Sequence, residues 1–229
     1  MASVPRYLII CDDSYFHVTW QCHNRDWLLQ WNWAKKLYYD LLLKYKDKYE
    51  VEIYAYNFMD NHPHLAGKLK SMQKFSAFFR LINSLFAKAV NKQLKRRGQV
   101  VMDRFKSPRI ETDEHMLRAM CYIDLNQQRA GKVSGPSDNH WSSYRYYAHG
   151  IEDPLITPSP TYKGLGRTTK ERQSVYRGMV ESLIESDSVN ISTVFFIGNP
   201  SWVVERYNEL REGVKVIQVR RKCSTSPPE

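Results

Sequence analysis

Cysteine is scarce in this sequence, and the few cysteines present follow no structural pattern. They form no CxxC pair and show no zinc-ligand spacing; the four are Cys11, Cys22, Cys121 and Cys223. A disulfide framework and a cysteine zinc site are therefore excluded, and we predict reduced thiols in a cytoplasmic protein. Long apolar runs are missing too. Because no stretch approaches the ~18 residues of a membrane helix and no basic segment precedes an apolar run at the start, we predict neither a membrane span nor a signal peptide.

Acidic residues are the minority among the charged residues. The chain has 24 Asp plus Glu against 34 Lys plus Arg, a formal charge of +10. This balance favours polyanionic partners through long-range attraction and counterion release, although a merely soluble basic protein can have the same composition. A glycine-rich phosphate loop is not indicated, because Gly164-Leu165-Gly166-Arg167 is a lone GxG motif that we interpret as a turn. No internal repeat is present.

Hydrophobic periodicity predicts alternating strands and helices over the first 130 residues. Residues 15–22 alternate between apolar and polar, as in a half-buried strand, whereas apolar residues recur every three or four positions from about Asp26 to Tyr45, as in an amphipathic helix. The further predicted elements are strand 51–59, strand 62–69, helix 71–96 with Ser71 as N-cap, strand 109–111 and helix 113–130 with Thr112 as N-cap. This order predicts an α+β fold, a ferredoxin-like antiparallel sheet with helices packed on one face.

The composition changes after Gly131. Prolines and glycines make residues 132–165 rich in loops, and helical spacing returns further along the chain. The predicted helices cover 169–185 and 200–212, the second with Asn199 as N-cap, Pro200 as first residue and Gly213 at its end, before a frayed tail from about 222. We therefore predict one domain over residues 10–150 and a loop-rich, helical C-terminal extension over residues 151–229.

Two histidines separated by one residue, His62 and His64, are candidate metal ligands. In an extended segment, residues i and i+2 point to the same side, so both imidazoles can converge on one ion. Two unrelated surface histidines beside a turn would have the same spacing, and an open catalytic site usually has two or three protein ligands. Two imidazoles favour a transition metal on grounds of ligand softness.

The predicted helix over 113–130 carries a polar stripe between two apolar faces. The stripe consists of Arg118, Tyr122, Asn126 and Arg129, at i, i+4, i+8 and i+11. A helix that is apolar on two sides packs on two sides. The stripe is then either a solvated edge or the lining of a site, and composition does not single out Tyr122 among 15 tyrosines.

Basic residues cluster at the end of the predicted helix 71–96 and in the segment after it. They are Lys88, Lys92, Lys95 and Arg96 on one helix face, followed by Arg97, Arg104, Lys106 and Arg109, with Phe105 among them. The cluster suits a phosphate-binding surface with an aromatic ring for stacking, or alternatively a solvated helix face.

Five short motifs occur in a specific order over about residues 10–150. They are Phe16-His17-Val18-Thr19, Met59-Asp60-Asn61-His62-Pro63-His64-Leu65, Arg104-Phe105-Lys106-Ser107, Tyr122-Ile123-Asp124-Leu125-Asn126 with Arg129-Ala130-Gly131, and Trp141-Ser142-Ser143-Tyr144. In this order and spacing, the chain resembles the HUH-type single-tyrosine transposases. The resemblance is strongest to the branch associated with repetitive extragenic palindromes in bacterial genomes.

The resemblance implies an HUH endonuclease fold and a divalent metal, Mg²⁺ or Mn²⁺, held by His62 and His64. It assigns nucleophilic attack to Tyr122 and a third metal ligand to Asn126, one helical turn further on, which is about 5–6 Å between Cβ atoms. The implied enzyme cuts single-stranded DNA next to a hairpin through a 5′-phosphotyrosine, which a 3′-hydroxyl later attacks to rejoin the strands without ATP. The candidate DNA-contacting residues are Lys88, Lys92, Lys95, Arg96, Arg97, Arg104, Phe105, Lys106, Arg109, Arg118 and Arg129.

The sequence departs from the family pattern at two positions. The residue between the histidines is Pro63 rather than an aliphatic residue, and proline suits an edge or irregular position better than a central strand. Gln127 stands where the family has proline after the asparagine. Neither change removes a reactive group.

Two alternatives to an active transposase, or a domesticated relative of one, remain open. One is a catalytically silent protein of the same fold that binds or regulates DNA hairpins. The other is a small zinc hydrolase, against which the basic surface and the lack of a glutamate beside the histidines count. Within the family, Tyr122 can act together with the histidines of its own chain or, through an exchanged helix, with the histidines of a partner chain. The likeness to the palindrome-associated branch favours a monomer over a homodimer.

Overall fold

A five-stranded sheet lies at the centre of the computed structural model, which describes residues 4–184 and 194–224. Its strands are β1 (Tyr15–Thr19), β2 (Val51–Phe58), β3 (Pro63–Leu69), β4 (Arg109–Ile110) and β5 (Phe196–Ile197), in the order β2-β3-β1-β4-β5. All neighbouring strands are antiparallel except β4 and β5, which are parallel. The predicted α+β class is confirmed, but the sheet is mixed rather than purely antiparallel.

Seven α-helices surround this sheet in the described part of the chain. They are α1 (Asn32–Tyr45), α2 (Met72–Gln93), α3 (Asp113–Arg129), α4 (Tyr144–His149), α5 (Pro160–Gly164), α6 (Thr169–Ile184) and α7 (Pro200–Ser224). The predicted N-caps of α2 and α3 are confirmed, since the hydroxyls of Ser71 and Thr112 accept bonds from the amides of Lys74 and His115. Two boundaries were wrong. The first helix begins at Asn32 rather than near Asp26, and α7 continues through Gly213.

Helices cover both faces of the sheet, so the prediction of helices on one face is wrong. On one face, Phe16 packs its ring against Phe75 of α2 at 4.8 Å between centroids. On the other face, the Asn57 side chain of β2 donates to the carbonyl oxygen of Ile123 in α3 at 2.7 Å. The reason lies in α3, which buries residues on two sides and therefore needs a layer above it as well as the sheet below. As a result β1, predicted to be half-buried, is buried on both faces.

The layer above α3 comes from the C-terminal third of the chain. Residues of α5 and α6 such as Tyr162, Tyr176 and Val180 lie in the same hydrophobic core as the sheet. The carboxylate of Asp124 accepts bonds from the hydroxyls of Tyr176 at 2.7 Å and Ser143 at 2.6 Å. The predicted division near residue 150 stays a prediction. No helix in the described ranges is long and apolar enough to cross a membrane.

One glycine allows β2 and β3 to pair in register. The pairing shifts by one residue between Ile53 and Ala55, which makes a bulge in β2. A Cβ atom on Gly67 would lie 1.9 Å from the carbonyl oxygen of Glu52, so only glycine fits at this point of β3. Beyond the bulge, the register places His64 opposite both Asn57 of β2 and Thr19 of β1.

Candidate metal centre and nucleophile

The two candidate metal ligands lie together where β3 begins. The ring centroids of His62 and His64 are 4.8 Å apart, with an angle of 75° between the ring planes. His64 is buried on the sheet face that α3 covers, because it pairs in the sheet with Asn57. His62 precedes the first residue of the strand and is partly exposed. The predicted convergence of the two imidazoles is therefore present.

The imidazole rings of His62 and His64 are each oriented by a hydrogen bond at one ring nitrogen. The Nδ1 atom of His62 donates to Oδ1 of Asn61 at 2.6 Å, which fixes its tautomer because Oδ1 can only accept. The Nδ1 atom of His64 lies 2.9 Å from Nε2 of His17, and these two rings are stacked within 7°. In both histidines the bond engages Nδ1, so Nε2 is the ring nitrogen left for a metal; in His64 this requires the tautomer in which Nδ1 donates to His17.

The surroundings keep both imidazoles neutral, which is the form that binds metals. Burial lowers the pKa of His64 well below its usual value, and the nearby His17 and His62 lower it further. Burial also lowers the pKa of His62, although the carboxylate of Asp60 acts in the opposite direction. Asp60 itself is paired with Lys35 at 2.9 Å and with Lys132 at 3.3 Å.

Pro63 occupies the one place in a central strand where proline costs no ladder bond. β3 lies between β1 and β2, so of the two positions expected for this proline, a sheet edge or an irregular position, the edge is wrong. Pro63 is, however, the first residue of the strand, and the turn before it is closed by the amide of Met59 donating to the carbonyl of His62 at 3.0 Å. From His64 to Ala66 the strand is paired without a shift to both β1 and β2, so the bulge at Gly67 lies beyond the histidines.

α3 carries Tyr122 and Asn126 across the same sheet face as His64. Two side-chain bonds fix its position: Asn57 to the carbonyl of Ile123 at 2.7 Å, and Gln127 to the carbonyl of Phe58 at 3.0 Å. Gln127, which replaces the family's proline, thus ties α3 to the end of β2. The neighbours of Tyr122 and Asn126 in the chain are therefore bonded to the strand that pairs with His64.

Asn126 has an amide group suited to a ligand role. Its Nδ2 atom is buried and has no hydrogen-bond partner among the described residues. A half-turn of the amide exchanges Nδ2 for the oxygen Oδ1, which can bind a cation. In the described ranges, no group of three or more His, Cys, Asp or Glu side chains is arranged to hold a metal. Two imidazoles and one carboxamide oxygen fit an open divalent site that leaves positions for substrate oxygens.

Tyr122 is half-buried beside a cation. The guanidinium carbon of Arg129 lies 5.0 Å from the centroid of the tyrosine ring, and Nη2 of Arg129 donates to the carbonyl of Leu183 in α6 at 2.6 Å. Burial raises the pKa of the Tyr122 phenol, and the charge of Arg129 opposes this rise. Arg129 can thus stabilise a phenolate at Tyr122.

The predicted basic residues are spread over several surfaces. Those on the end of α2 and after it are mainly exposed: Lys88, Lys92, Lys95 and Arg97, with Arg96 partly buried 3.9 Å from Asp26. Arg118 is exposed and paired with Glu114 at 3.0 Å, and Arg109 lies over the ring of Trp202 at 5.7 Å. Arg104 and Lys106 line a cavity that also contains His62. The structure thus brings only part of the set close to the histidines.

Phe105 is not available for stacking on a base. Its ring is buried against Phe75 and Phe79, and the Arg6 guanidinium covers it at 3.6 Å. The predicted stacking role is therefore wrong, because an aromatic residue between basic ones can still point into the core.

His17 and Asn57 are functional candidates that spacing and composition did not single out. The strict alternation of β1 did place His17 on the face opposite Phe16, and the first family motif contains it. Asn57, by contrast, is a polar residue within an apolar strand, which is a signal of a buried hydrogen bond. Their partners, His64 and Ile123, are far away in sequence and could not be identified from it.

Comparisons with known proteins find a matching family model and a solved structure of similar fold. Residues 11–122 match the family model described as "Transposase IS200 like". Among solved structures, the chain is similar to one described as a REP-associated tyrosine transposase bound to a REP hairpin, with a TM-score of 0.55 and 22% sequence identity, covering 69% of this chain and 93% of that one. At this identity the likeness concerns the fold. No curated protein matches the sequence.

Proposed function

We propose that this chain, whose residues 11–122 match the IS200-like transposase family model, cleaves and rejoins single-stranded DNA next to a hairpin. In this proposal Tyr122 is the nucleophile, and His62, His64 and Asn126 hold a divalent metal, Mg²⁺ or Mn²⁺. One observation carries the assignment: the buried bond from Asn57 to the carbonyl of Ile123 ties the helix of Tyr122 to the residue paired with His64. Nucleophile and metal ligands therefore belong to one rigid unit.

The chemistry requires a charged phosphate to accept an attacking phenol. A bound divalent metal would neutralise charge on the scissile phosphate and orient it for in-line attack. The phenol of Tyr122 must lose its proton before or during the attack. Burial raises the pKa of this phenol and so makes the loss of the proton less favourable. Arg129, with its guanidinium carbon 5.0 Å from the ring centroid, lowers the cost of the phenolate.

The bond changes balance without an external energy source. The Tyr122 oxygen forms a bond to phosphorus, and the bond from phosphorus to the 3′ oxygen of the leaving strand breaks, with a proton returning to that oxygen. The product is a 5′-phosphotyrosine and a free 3′-hydroxyl. In the rejoining step a 3′-hydroxyl attacks the same phosphorus and the tyrosine leaves, so the phosphodiester is restored without ATP.

His17 acts in this proposal as a positioning residue. It accepts the Nδ1 proton of His64 at Nε2 and thereby directs Nε2 of His64 towards the metal. Asn61 has the same role for His62. The two outer partners keep the ligand atoms in place before the metal and DNA arrive.

A DNA hairpin is the proposed partner. The structural relative is described as bound to a REP hairpin, and the present chain has a formal charge of +10. The exposed lysines and arginines at the end of α2 provide phosphate contacts that fix position rather than sequence. A folded hairpin with an unpaired flank presents both features that the site requires: backbone phosphates to hold and a single strand to cut.

A covalent-adduct assay tests the proposal. A labelled pool of DNA hairpins with randomised single-stranded flanks is incubated with the protein and Mn²⁺, and the products are separated on a denaturing gel. We expect a band of protein linked to DNA that is absent for Tyr122→Phe and retained for the control Tyr7→Phe, whose tyrosine is exposed on the N-terminal segment. Hairpin binding without any such band would instead support the catalytically silent alternative.

A further inference from the structure

A cavity of about 300 Å³ adjoins the proposed metal site, with His62 in its wall. It lies between the end of β1 and the segment that follows α2. Among its lining residues are Gln21, Arg25, His62, Asp103, Arg104 and Lys106. Its volume lies at the low end of the ~300–1,000 Å³ of small-molecule pockets, which is suitable for a single nucleotide and too small for a duplex.

The charges of this cavity suit a phosphodiester. Three of its residues are cationic, Arg25, Arg104 and Lys106, against one carboxylate, Asp103. Because the cavity includes His62, a phosphate bound by these cations lies next to the proposed metal site.

Arg25 lies at this cavity in a backbone conformation that is unfavourable for arginine. Asn24 and Arg25 both have left-handed backbone angles, with φ of 53° and 59°. Such angles are unfavourable for residues other than glycine, and they persist only where the surroundings impose them. Here the turn is fixed by the Cys22–Val101 bridge and by the amide of His23, which donates to the carbonyl of Val100 at 2.8 Å.

Two polar side chains in the cavity can recognise a base edge. Gln21 donates from Nε2 to the carbonyl of Asn61 at 3.2 Å, so its acceptor Oε1 is the atom it can offer to a ligand. Asp103 is an exposed acceptor on the opposite segment. Acceptors bind the exocyclic amino groups of cytosine, adenine and guanine, whereas an unpaired thymine offers a single donor, N3–H, between two carbonyl oxygens that repel a carboxylate. Gln21 is also linked to the metal site, since Asn61 orients His62.

We propose that this cavity binds one unpaired nucleotide of the DNA strand adjoining the scissile phosphate. Arg25 and Arg104 contact its phosphate, and Asp103 with Gln21 selects a base that carries an amino group over thymine. The inference rests on the proposed function for its biological substrate. The binding site itself, however, can be tested without cleavage.

The test is a titration of the full chain with the four deoxynucleoside monophosphates, in EDTA, followed by ¹H–¹⁵N NMR. We expect the amides of Gln21, Arg25 and Asp103 to shift, with dissociation constants on the order of millimolar, and thymidine monophosphate to bind about threefold or more weakly than the other three. Arg25→Asn removes the charge but tolerates the left-handed turn, and we expect it to weaken all four ligands. Asp103→Asn should bring the ratio between amino-bearing bases and thymine close to one.

Arg167→Ala is the matched control, because Arg167 is an exposed arginine in the turn between α5 and α6. It should bind all four nucleotides like the wild type. Shifts located elsewhere, or equal binding by the wild type and Arg25→Asn, would overturn the proposal. Since EDTA removes the metal and no adduct is scored, this outcome is independent of the covalent-adduct assay: either proposal can fail while the other stands.

Discussion

Replacing Asn57 by alanine is expected to slow covalent adduct formation about 100-fold, although Asn57 is not itself one of the proposed reacting groups. The side chain is fully buried; it donates to the carbonyl of Ile123 at 2.7 Å and accepts from Nδ2 of Asn139 at 3.2 Å. Alanine removes both bonds and leaves the Asn139 donor buried without this partner. A lost bond and a stranded donor together cost about 2–4 kcal/mol of the free energy of unfolding.

The larger effect falls on the rate. The bond to Ile123 holds the backbone next to Tyr122, and a displacement of about 1 Å in a reacting group can slow a reaction ~10²-fold. Metal binding should be weakened but not abolished, because His62 and His64 remain held by Asn61 and His17 while Asn126 moves with α3. Saturating metal in the rate assay therefore separates the position of the nucleophile from the loss of metal affinity.

Three measurements are needed on the same protein: urea unfolding, Mn²⁺ affinity, and the initial rate of adduct formation with saturating metal and DNA. Asn208→Ala, at an exposed position of α7, is the control and should match the wild type in all three. A folded Asn57→Ala protein that forms the adduct at the wild-type rate would refute the claim that this bond positions Tyr122.

Three further predictions concern the charge, metal and backbone of the same region. Burial raises the pKa of Asp124 from 3.8 to about 7, so between these pH values the folded state holds a proton that the unfolded state loses. The free energy of unfolding of the wild type should therefore fall between about pH 4 and 7, by at most about 4 kcal/mol at 1.36 kcal/mol per pKa unit. Urea unfolding of Asp124→Asn across this range should show a smaller fall. Titration calorimetry with Mn²⁺ should show that His64→Ala abolishes binding. His17→Phe should weaken binding about 10–100-fold, because it loses the bond that orients His64. Unchanged Mn²⁺ affinity in both variants would contradict the assigned ligands. Gly67→Ala places a methyl group 1.9 Å from a backbone oxygen, so we expect a protein that is insoluble or more than about 3 kcal/mol less stable than the wild type. A urea unfolding midpoint equal to that of the wild type would show that β2 can move aside.

The strands and long helices of the first half could be predicted because each is long enough to show a period. The alternation in β1 and the three- to four-residue spacing of α2 both led to elements close to those observed. β5 has two residues and α5 has five, which is too short for any period to appear. Gly213 was misinterpreted as a helix end because glycine is common there; in the structure a Cβ at this position would lie 2.8 Å from Leu8, so the glycine is a point of close packing.

The layer arrangement was harder to predict than the elements. Periodicity shows that a helix has an apolar face but not which face of the sheet receives it. The two buried sides of α3 already indicated two packing partners, and this reading is confirmed: Met120 and Leu125, on different faces of the helix, are both buried. The sequence did not reveal that the sheet and α6 are those partners, since the contacts join residues up to 98 positions apart, as for Tyr15 of β1 and Asp113 of α3.

The candidate site was predictable where one motif contains the residues, and not where separate loops meet. His62 with His64, and Tyr122 with Asn126, are local pairs; the IS200-like family model covers residues 11–122, which include the first three of these residues but not Asn126. The roles of these four residues stay predictions. The cavity beside His62 combines residues 21, 25 and 103, which no spacing rule connects. Phe105 shows the opposite error, in which local composition indicated a surface role for a core residue.

The double attachment of α3 bears on how many DNA ends one molecule could hold under the proposed function. Asn57 fixes the helix to the sheet from below, and Asp124 fixes it to Tyr176 of α6 from above. A helix exchanged between two chains would have to form both attachments again in the partner, and the monomer stays a prediction. Under the proposed function, a molecule with one nucleophile must release each captured 5′ end to a 3′-hydroxyl before it can take another. Strand exchange is then sequential, and the turnover rate depends on how quickly the correct acceptor end reaches an occupied tyrosine.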